Sequence, residues 1–193
     1  AGEELYFRSN FAPVYAFSSL VPFLPRAYAG VVLVNIVGSS LGLIVLGGKV
    51  GGARKQFIEK AKKDGDADAE ARFSYPKLYA EGFSDHAKKF NCIQRGHQHA
   101  LETYTAFVTL SLIAGVKYPI TATVGGLVWL AARFAWAGGY ATGEPSRRYE
   151  NLIAVGVWTS LFIQLAGTIG TIIAFVKQRK NVLFVLFRSY FSS

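Results

Sequence analysis

Four long apolar stretches punctuate the chain. They cover about 28–48, 97–116, 120–140 and 152–176, and each is roughly 20 residues, the length of helix that crosses about 30 Å of hydrocarbon. The first carries no charge, the second only Glu102 near its start, the third only Arg133, and the fourth has Gln164 as its most polar residue. Lipid cannot satisfy backbone N–H and C=O groups, so each stretch is expected to be a helix. The pattern predicts an all-α fold, a four-transmembrane-helix bundle. Small residues recur where helices could approach closely, at Gly38-Ser39-Ser40 and at Gly167-Thr168-Ile169-Gly170. Only Lys117-Tyr118-Pro119 separates the second stretch from the third, which predicts a tight turn. A long polar loop, 49–96, is expected between the first and second. Within it, 60–70 (KAKKDGDADAE) mixes both signs around Gly65 and reads as a solvated hairpin or short helix. The expected organisation is an irregular, aromatic-rich interfacial segment over 1–25, a membrane domain over 26–176, and a basic and apolar tail over 177–193. The tail's apolar run, 182–187, is too short to span and is expected at the interface or against a partner.

Composition agrees with the pattern. Of 193 residues, 51% are hydrophobic and only 17% charged, and mean hydropathy is positive. Soluble domains carry about a quarter charged residues, so an ordinary soluble domain is excluded. The net charge of +9 could serve nucleic acid or an anionic membrane face, and the apolar spans decide for the bilayer and against nucleic acid. A single cysteine, Cys92, excludes an internal disulfide framework. The chain holds no methionine, and Ala1 reads as a processed or trimmed start. Thirteen Lys/Arg fall in 49–96 and 141–150, against seven on the other side of the predicted spans. That excess places these two connections in the cytosol or its equivalent.

Polar residues inside the bundle are where chemistry is expected. Arg95, His99 and Glu102 are spaced i, i+4, i+7, on one face of a helix. Arg133, Trp136 and Tyr140, at i, i+3, i+7, form a stripe on the next. Ionisable groups at membrane depth need a partner or a wet cavity. Two readings of the cluster remain open on the residues alone: a polar pocket between the two helices, or a structural Glu102–Arg133 ion pair. Trp136 and Tyr140 also fit an aromatic belt, and Arg95 and Arg147 fit ordinary juxtamembrane cations. His97 and His99 are two apart and diverge on a helix, so no metal site is expected. Cys92 reads as an unpaired thiol rather than a nucleophile.

The strings FNCIQRGHQHALE (90–102) and GYATGEPSRR (139–148), with Gly52-Ala53-Arg54-Lys55 and Tyr75-Pro76, strongly resemble the microsomal glutathione S-transferase type 3 branch of the MAPEG superfamily. The resemblance covers roughly 28–176. It implies a homotrimer of four-helix subunits in the endoplasmic reticulum or a mitochondrial membrane, binding glutathione as co-substrate in clefts between subunits. The implied activity joins the glutathione thiolate to lipophilic electrophiles or reduces lipid hydroperoxides. Carried over by position, Lys55, Arg95, His99, Glu102, Trp136 and Tyr140 would bind glutathione, and Arg147 would stabilise its thiolate. His99 stands where that branch usually has asparagine, and Trp136 where it tends to have tyrosine. A second implied reading is a non-catalytic scaffold or accessory subunit of a larger membrane complex, docked through its extra segments.

Overall fold

The computed structural model describes residues 24–191, with side chains described through Arg179. The expected interfacial segment 1–25 therefore lies almost wholly outside the described residues. Among those described, all regular structure is helical. Helix α1 runs Tyr28–Lys63, with a π-helical stretch at Val32–Gly38. Helix α2 is the short Ala69–Phe73, α3 is Asp85–Lys117 and α4 is Pro119–Ala141. A 3₁₀ turn at Pro145–Tyr149 leads to α5, Leu152–Phe191. The boundaries follow local chemistry. Ser84 caps α3 by accepting from Ala87 N at 3.1 Å, with Asp85 in the first turn. Pro119 opens α4, where its missing N–H costs nothing, and it holds Tyr118 outside the helical region, which makes the tight α3–α4 turn. Gly143 ends the α4 segment at φ +89°, where a side chain would also meet Lys89.

The four long helices pack together: α4 against α5 and α3, α3 against α5, and α1 against α3 and α4. Polar contacts, rather than apolar area alone, pin them. Asn35 of α1 and Gln164 of α5 are both buried, and both donate to the carbonyl of Ala122 on α4, at 3.0 and 2.9 Å. Both side-chain amides converge on this one oxygen and tie α1 and α5 to α4. Gly125 and Gly126 make the approach possible. A Cβ at 125 would sit 2.7 Å from Gln164 Nε2, and one at 126 would overlap the Asn35 amide. Ser39 and Ser40 each bond the Tyr104 hydroxyl, at 3.0 and 2.9 Å, and Thr168 donates to Leu110 O at 2.8 Å. Gly167 lies against Ala114. Both small-residue stretches singled out in the sequence are thus helix contacts.

Among the described residues, three helices are long and apolar enough to cross a membrane: Tyr28–Lys63, Pro119–Ala141 and Leu152–Arg179. The fourth expected span, 97–116, lies on α3, which falls short of that standard because His97, Gln98, His99 and Glu102 occupy its middle.

The polar stretch 49–96, read as a loop, is largely helix and is corrected accordingly. Helix α1 continues to Lys63 and α3 begins at Asp85. Past the bilayer-length part of α1, Val50, Ala53, Phe57 and Ala61 keep helical spacing, and they bury against Ala69, Phe73, Ala80, Ala87 and Phe90. This second core hangs from one end of the bundle. Arg54 sits inside it, donating to the carbonyls of Phe73 and Leu78 while its guanidinium stacks on Tyr75 at 4.4 Å and Phe90 at 4.6 Å. The 60–70 stretch divides between the end of α1 and the start of α2, tied by Lys62–Glu70 at 2.6 Å. In the tail, the backbone of 182–187 continues α5, and its side chains lie outside those described.

Candidate functional site

The two recognised strings meet where α3 crosses α4. Gly96 permits the crossing, since a Cβ there would lie only 3.2 Å from Ala137 Cα. Residues of α3 then point two ways, and the 100° advance per residue says which. Taking His99 as zero, Thr103 lies at about +40°, Arg95 at about −40° and Glu102 at about −60°. His99 and Thr103 turn toward α4, while Arg95 and Glu102 share a stripe turned away from it.

The contacts follow that division. Arg95 Nη1 bonds Glu102 Oε1 at 2.5 Å, with the two side chains 39% and 41% exposed. Arg133, only 1% exposed, bonds His99 Nδ1 at 2.9 Å and the Thr103 hydroxyl, and its guanidinium lies 5.0 Å over Trp129. The Glu102–Arg133 ion pair, one of the two sequence readings of this cluster, is therefore not formed. Glu102 faces outward to Arg95, and Arg133 is buried among neutral partners.

An aromatic wall backs the cluster. His99 stacks on Trp136 at 4.9 Å and 18°, and meets Trp158 of α5 edge-on at 5.9 Å. Trp136, 2% exposed, is crossed by Tyr149 at 5.0 Å and 82°, and packs on Tyr140 at 6.2 Å. Arg148, from the 3₁₀ turn, caps this wall, its guanidinium 4.5 Å over Tyr149 and 5.3 Å over Tyr140. Arg133 Nε, Trp136 Nε1 and Trp129 Nε1 are buried donors without a protein acceptor.

Of the candidates, His99, Trp136 and Tyr140 stack in one wall, and the Arg95–Glu102 pair lies beside it on the outward stripe of α3. Arg147 lies on the same turn but faces outward, 54% exposed, with Nε 3.8 Å from Glu150 Oε1. Lys55 lies on α1 beside a cleft of about 640 Å³ lined with Gly48, Gly51, Gly52, Ile58 and Tyr75, and none of the other candidates lines it. Sequence reasoning missed Thr103, Arg148, Tyr149 and Trp158. Thr103, four residues after His99, was legible from helical spacing. Trp158 belongs to a helix that the local pattern does not connect to this site.

A latch holds the turn in place. Lys88 of α3 reaches Glu144 at 2.8 Å; their hydrogen bond, and then their opposite charge, holds the Glu144 carboxyl below the usual carboxylate range and pushes the Lys88 ammonium up. Cys92 donates to Gly143 O at 3.5 Å, and burial pushes its thiol up, away from the thiolate form a nucleophile needs. Among the described residues, no group of three or more His, Cys, Asp or Glu could hold a metal ion.

An all-helical fold with three bilayer-length apolar helices, pinned by buried interhelical hydrogen bonds, defines an integral membrane protein. The MAPEG family model matches residues 31–167, and the chain belongs to that family. The match takes in α3, α4, the 3₁₀ turn and most of α1, hence every candidate residue. Membership places the protein in the general field of membrane glutathione-transferase and eicosanoid-related functions.

Proposed function

We propose that this protein is a membrane-bound glutathione transferase or peroxidase of the type 3 branch, working as a homotrimer. In this reading all four long helices cross the bilayer, α3 shielded by its neighbours. Residues 49–96 and 141–150 lie on the cytosolic side of an endoplasmic reticulum or mitochondrial membrane, and glutathione binds between subunits. One observation carries it most directly: a half-exposed Arg95–Glu102 pair lies beside a wall of His99, Trp136 and Tyr140.

The chemistry suits the tripeptide. Glutathione brings two carboxylates, an ammonium and a thiol. Arg95 pairs with a carboxylate through charge-assisted hydrogen bonds, and Glu102 takes the ammonium. The exposed ion pair is their resting arrangement, and little is lost by exchanging it for the ligand's charges. Lys55 from a neighbouring subunit supplies a further cation. Arg147, tied only loosely to Glu150, is free to turn toward the sulfur. A cysteine-like thiol of pKa about 8.5 is a few per cent thiolate at pH 7. Lowering it by two units needs roughly 2.7 kcal/mol, within the reach of one close guanidinium, and raises the thiolate by up to about thirtyfold. The thiol proton passes to water. The sulfur then forms its C–S bond to a lipophilic electrophile as the leaving group departs, or takes the terminal oxygen of a lipid hydroperoxide, releasing the lipid alcohol, and the sulfenic acid so formed condenses with a second glutathione to the disulfide and water. Positioning of the apolar partner, delivered from the bilayer, supplies the rest.

The test is turnover of purified protein with glutathione and a chlorinated nitroarene or a lipid hydroperoxide. Turnover that falls in Arg147→Ala is expected, and no turnover with either acceptor contradicts the proposal. The second reading, an accessory subunit, draws on α5. At 40 residues it is about 60 Å long, twice the bilayer core, and it extends well past the family match. Recovery of single copies among foreign subunits from native membranes would favour it.

A further inference from the structure

We infer that His99 is the neutral hydrogen-bond donor of the site, its proton fixed on Nε2 by Arg133, and that His99 is not the base that deprotonates the thiol. Only the ligand-binding consequence rests on the glutathione reading. Arginine has five N–H donors and no acceptor, so a contact of 2.9 Å between Arg133 and His99 Nδ1 requires Nδ1 to accept. A ring whose Nδ1 accepts carries its one proton on Nε2. An imidazolium would turn N–H toward N–H at that distance.

Neither partner is free to rearrange. Arg133 is held by the Thr103 hydroxyl and by Trp129 beneath it, and it is almost wholly buried. The His99 ring lies flat on Trp136 with the edge of Trp158 against it. Turning the ring over would exchange Nδ1 for a carbon and forfeit the bond. The charged groups around His99 are Arg133 from α4, Arg95 and Glu102 from α3, and Arg148 from the 3₁₀ turn. Three are cations, and the one carboxylate is engaged by Arg95.

The consequence is an uncharged N–H on the ring edge away from Arg133, with Arg95 and Glu102 among the neighbouring charged groups, suited to a peptide carbonyl or carboxylate oxygen. With its lone pair turned inward to Arg133, the imidazole has none to offer a thiol. Arg133 acts only through His99 and is a positioning residue.

Protein labelled with ¹⁵N-histidine in nanodiscs, without glutathione at pH 7, reports the tautomer directly by long-range ¹H–¹⁵N correlation. His99→Asn identifies the signal among the three histidines. The expected result is a neutral ring with Nε2–H, and Arg133→Met is expected to release it to a mixture of forms. An Nδ1–H ring or an imidazolium in the wild type overturns the inference, whether or not Arg133→Met folds. Glutathione affinity supplies the second arm. His99→Asn, which keeps a side-chain N–H, is expected to bind nearly as the wild type does, and His99→Leu about five- to tenfold more weakly, the worth of one hydrogen bond. The acid limb of the kcat profile is expected to keep its position in His99→Asn, whatever the height of the profile. An unchanged affinity in His99→Leu overturns the donor role, and loss of the acid limb of the profile in His99→Asn overturns the claim that His99 is not the base. An Nε2–H ring in a protein that binds no glutathione would sink the functional proposal instead.

Discussion

Adjacent arginines have different jobs in this protein. Arg148 lies on Tyr140 and Tyr149, while Arg147 reaches outward with one distant carboxylate for company. If Arg147 is the thiolate-stabilising group, Arg147→Ala should lower kcat by up to about thirtyfold at pH 7, by the thiolate fraction alone, with glutathione affinity nearly unchanged. Arg148→Ala should instead loosen the turn, which hydrogen exchange over 145–149 would register. The opposite assignment of kinetic and exchange effects would exchange the two roles. Sequence spacing marked Arg95, His99 and Glu102 as one face, and at coarse resolution they are. The 40–60° offsets within that face were invisible until a neighbouring helix fixed which residues point inward, and those offsets give Arg133 to His99 rather than to Glu102.

Among the elements, the turn after α4 and the extension of α1 decide how the site is supported. The Lys88–Glu144 latch ties α3 to that turn. Glu144's carboxyl is held low, so the stabilisation is present above the ordinary glutamate value of about 4.3 and is lost as pH falls through the lowered one. Lys88 is pushed up, so its share is complete below about 10.4 and is lost as pH rises through the raised value. Protection factors over 142–150 should therefore be flat from about pH 5 to 10 and fall in acid, and Glu144→Gln should show the acid value already at pH 7. An identical response in the variant would show that the latch is not what holds the turn.

The α1 extension was misread as a loop because lysines and arginines crowd it and hide the apolar spacing of Val50, Ala53, Phe57 and Ala61. One of those cations, Arg54, is itself a core residue. Phe73, fully buried between Phe57 and Phe90, anchors this second core, so Phe73→Ala should cost about 3–5 kcal/mol locally. Limited proteolysis within 64–84 should accelerate in that variant while the spans stay protected, and unchanged cleavage would contradict the packing described.

Across the whole molecule, the all-helical, membrane-spanning character was legible in the hydropathy pattern, and the candidate site was proposed from two local strings. Both depend on information that lies within a helix or a single turn. What joins distant helices was not legible: the shared Ala122 carbonyl, the Gly125-Gly126 gap that admits Asn35 and Gln164, and Trp158 at the back of the site. These depend on the rotation of each helix about its axis, which packing sets and periodicity does not. The helices so fixed leave Arg95 and Glu102 open on the outer face of α3, and the functional proposal stands on that exposure.

Equilibrium dialysis of glutathione against the purified protein, wild type and Glu102→Gln, tests it most directly. The account predicts saturable binding by the wild type and affinity at least about tenfold weaker in the variant, a loss of about 1.4 kcal/mol from the ammonium contact. Absence of binding, or equal affinity in the two proteins, would contradict it.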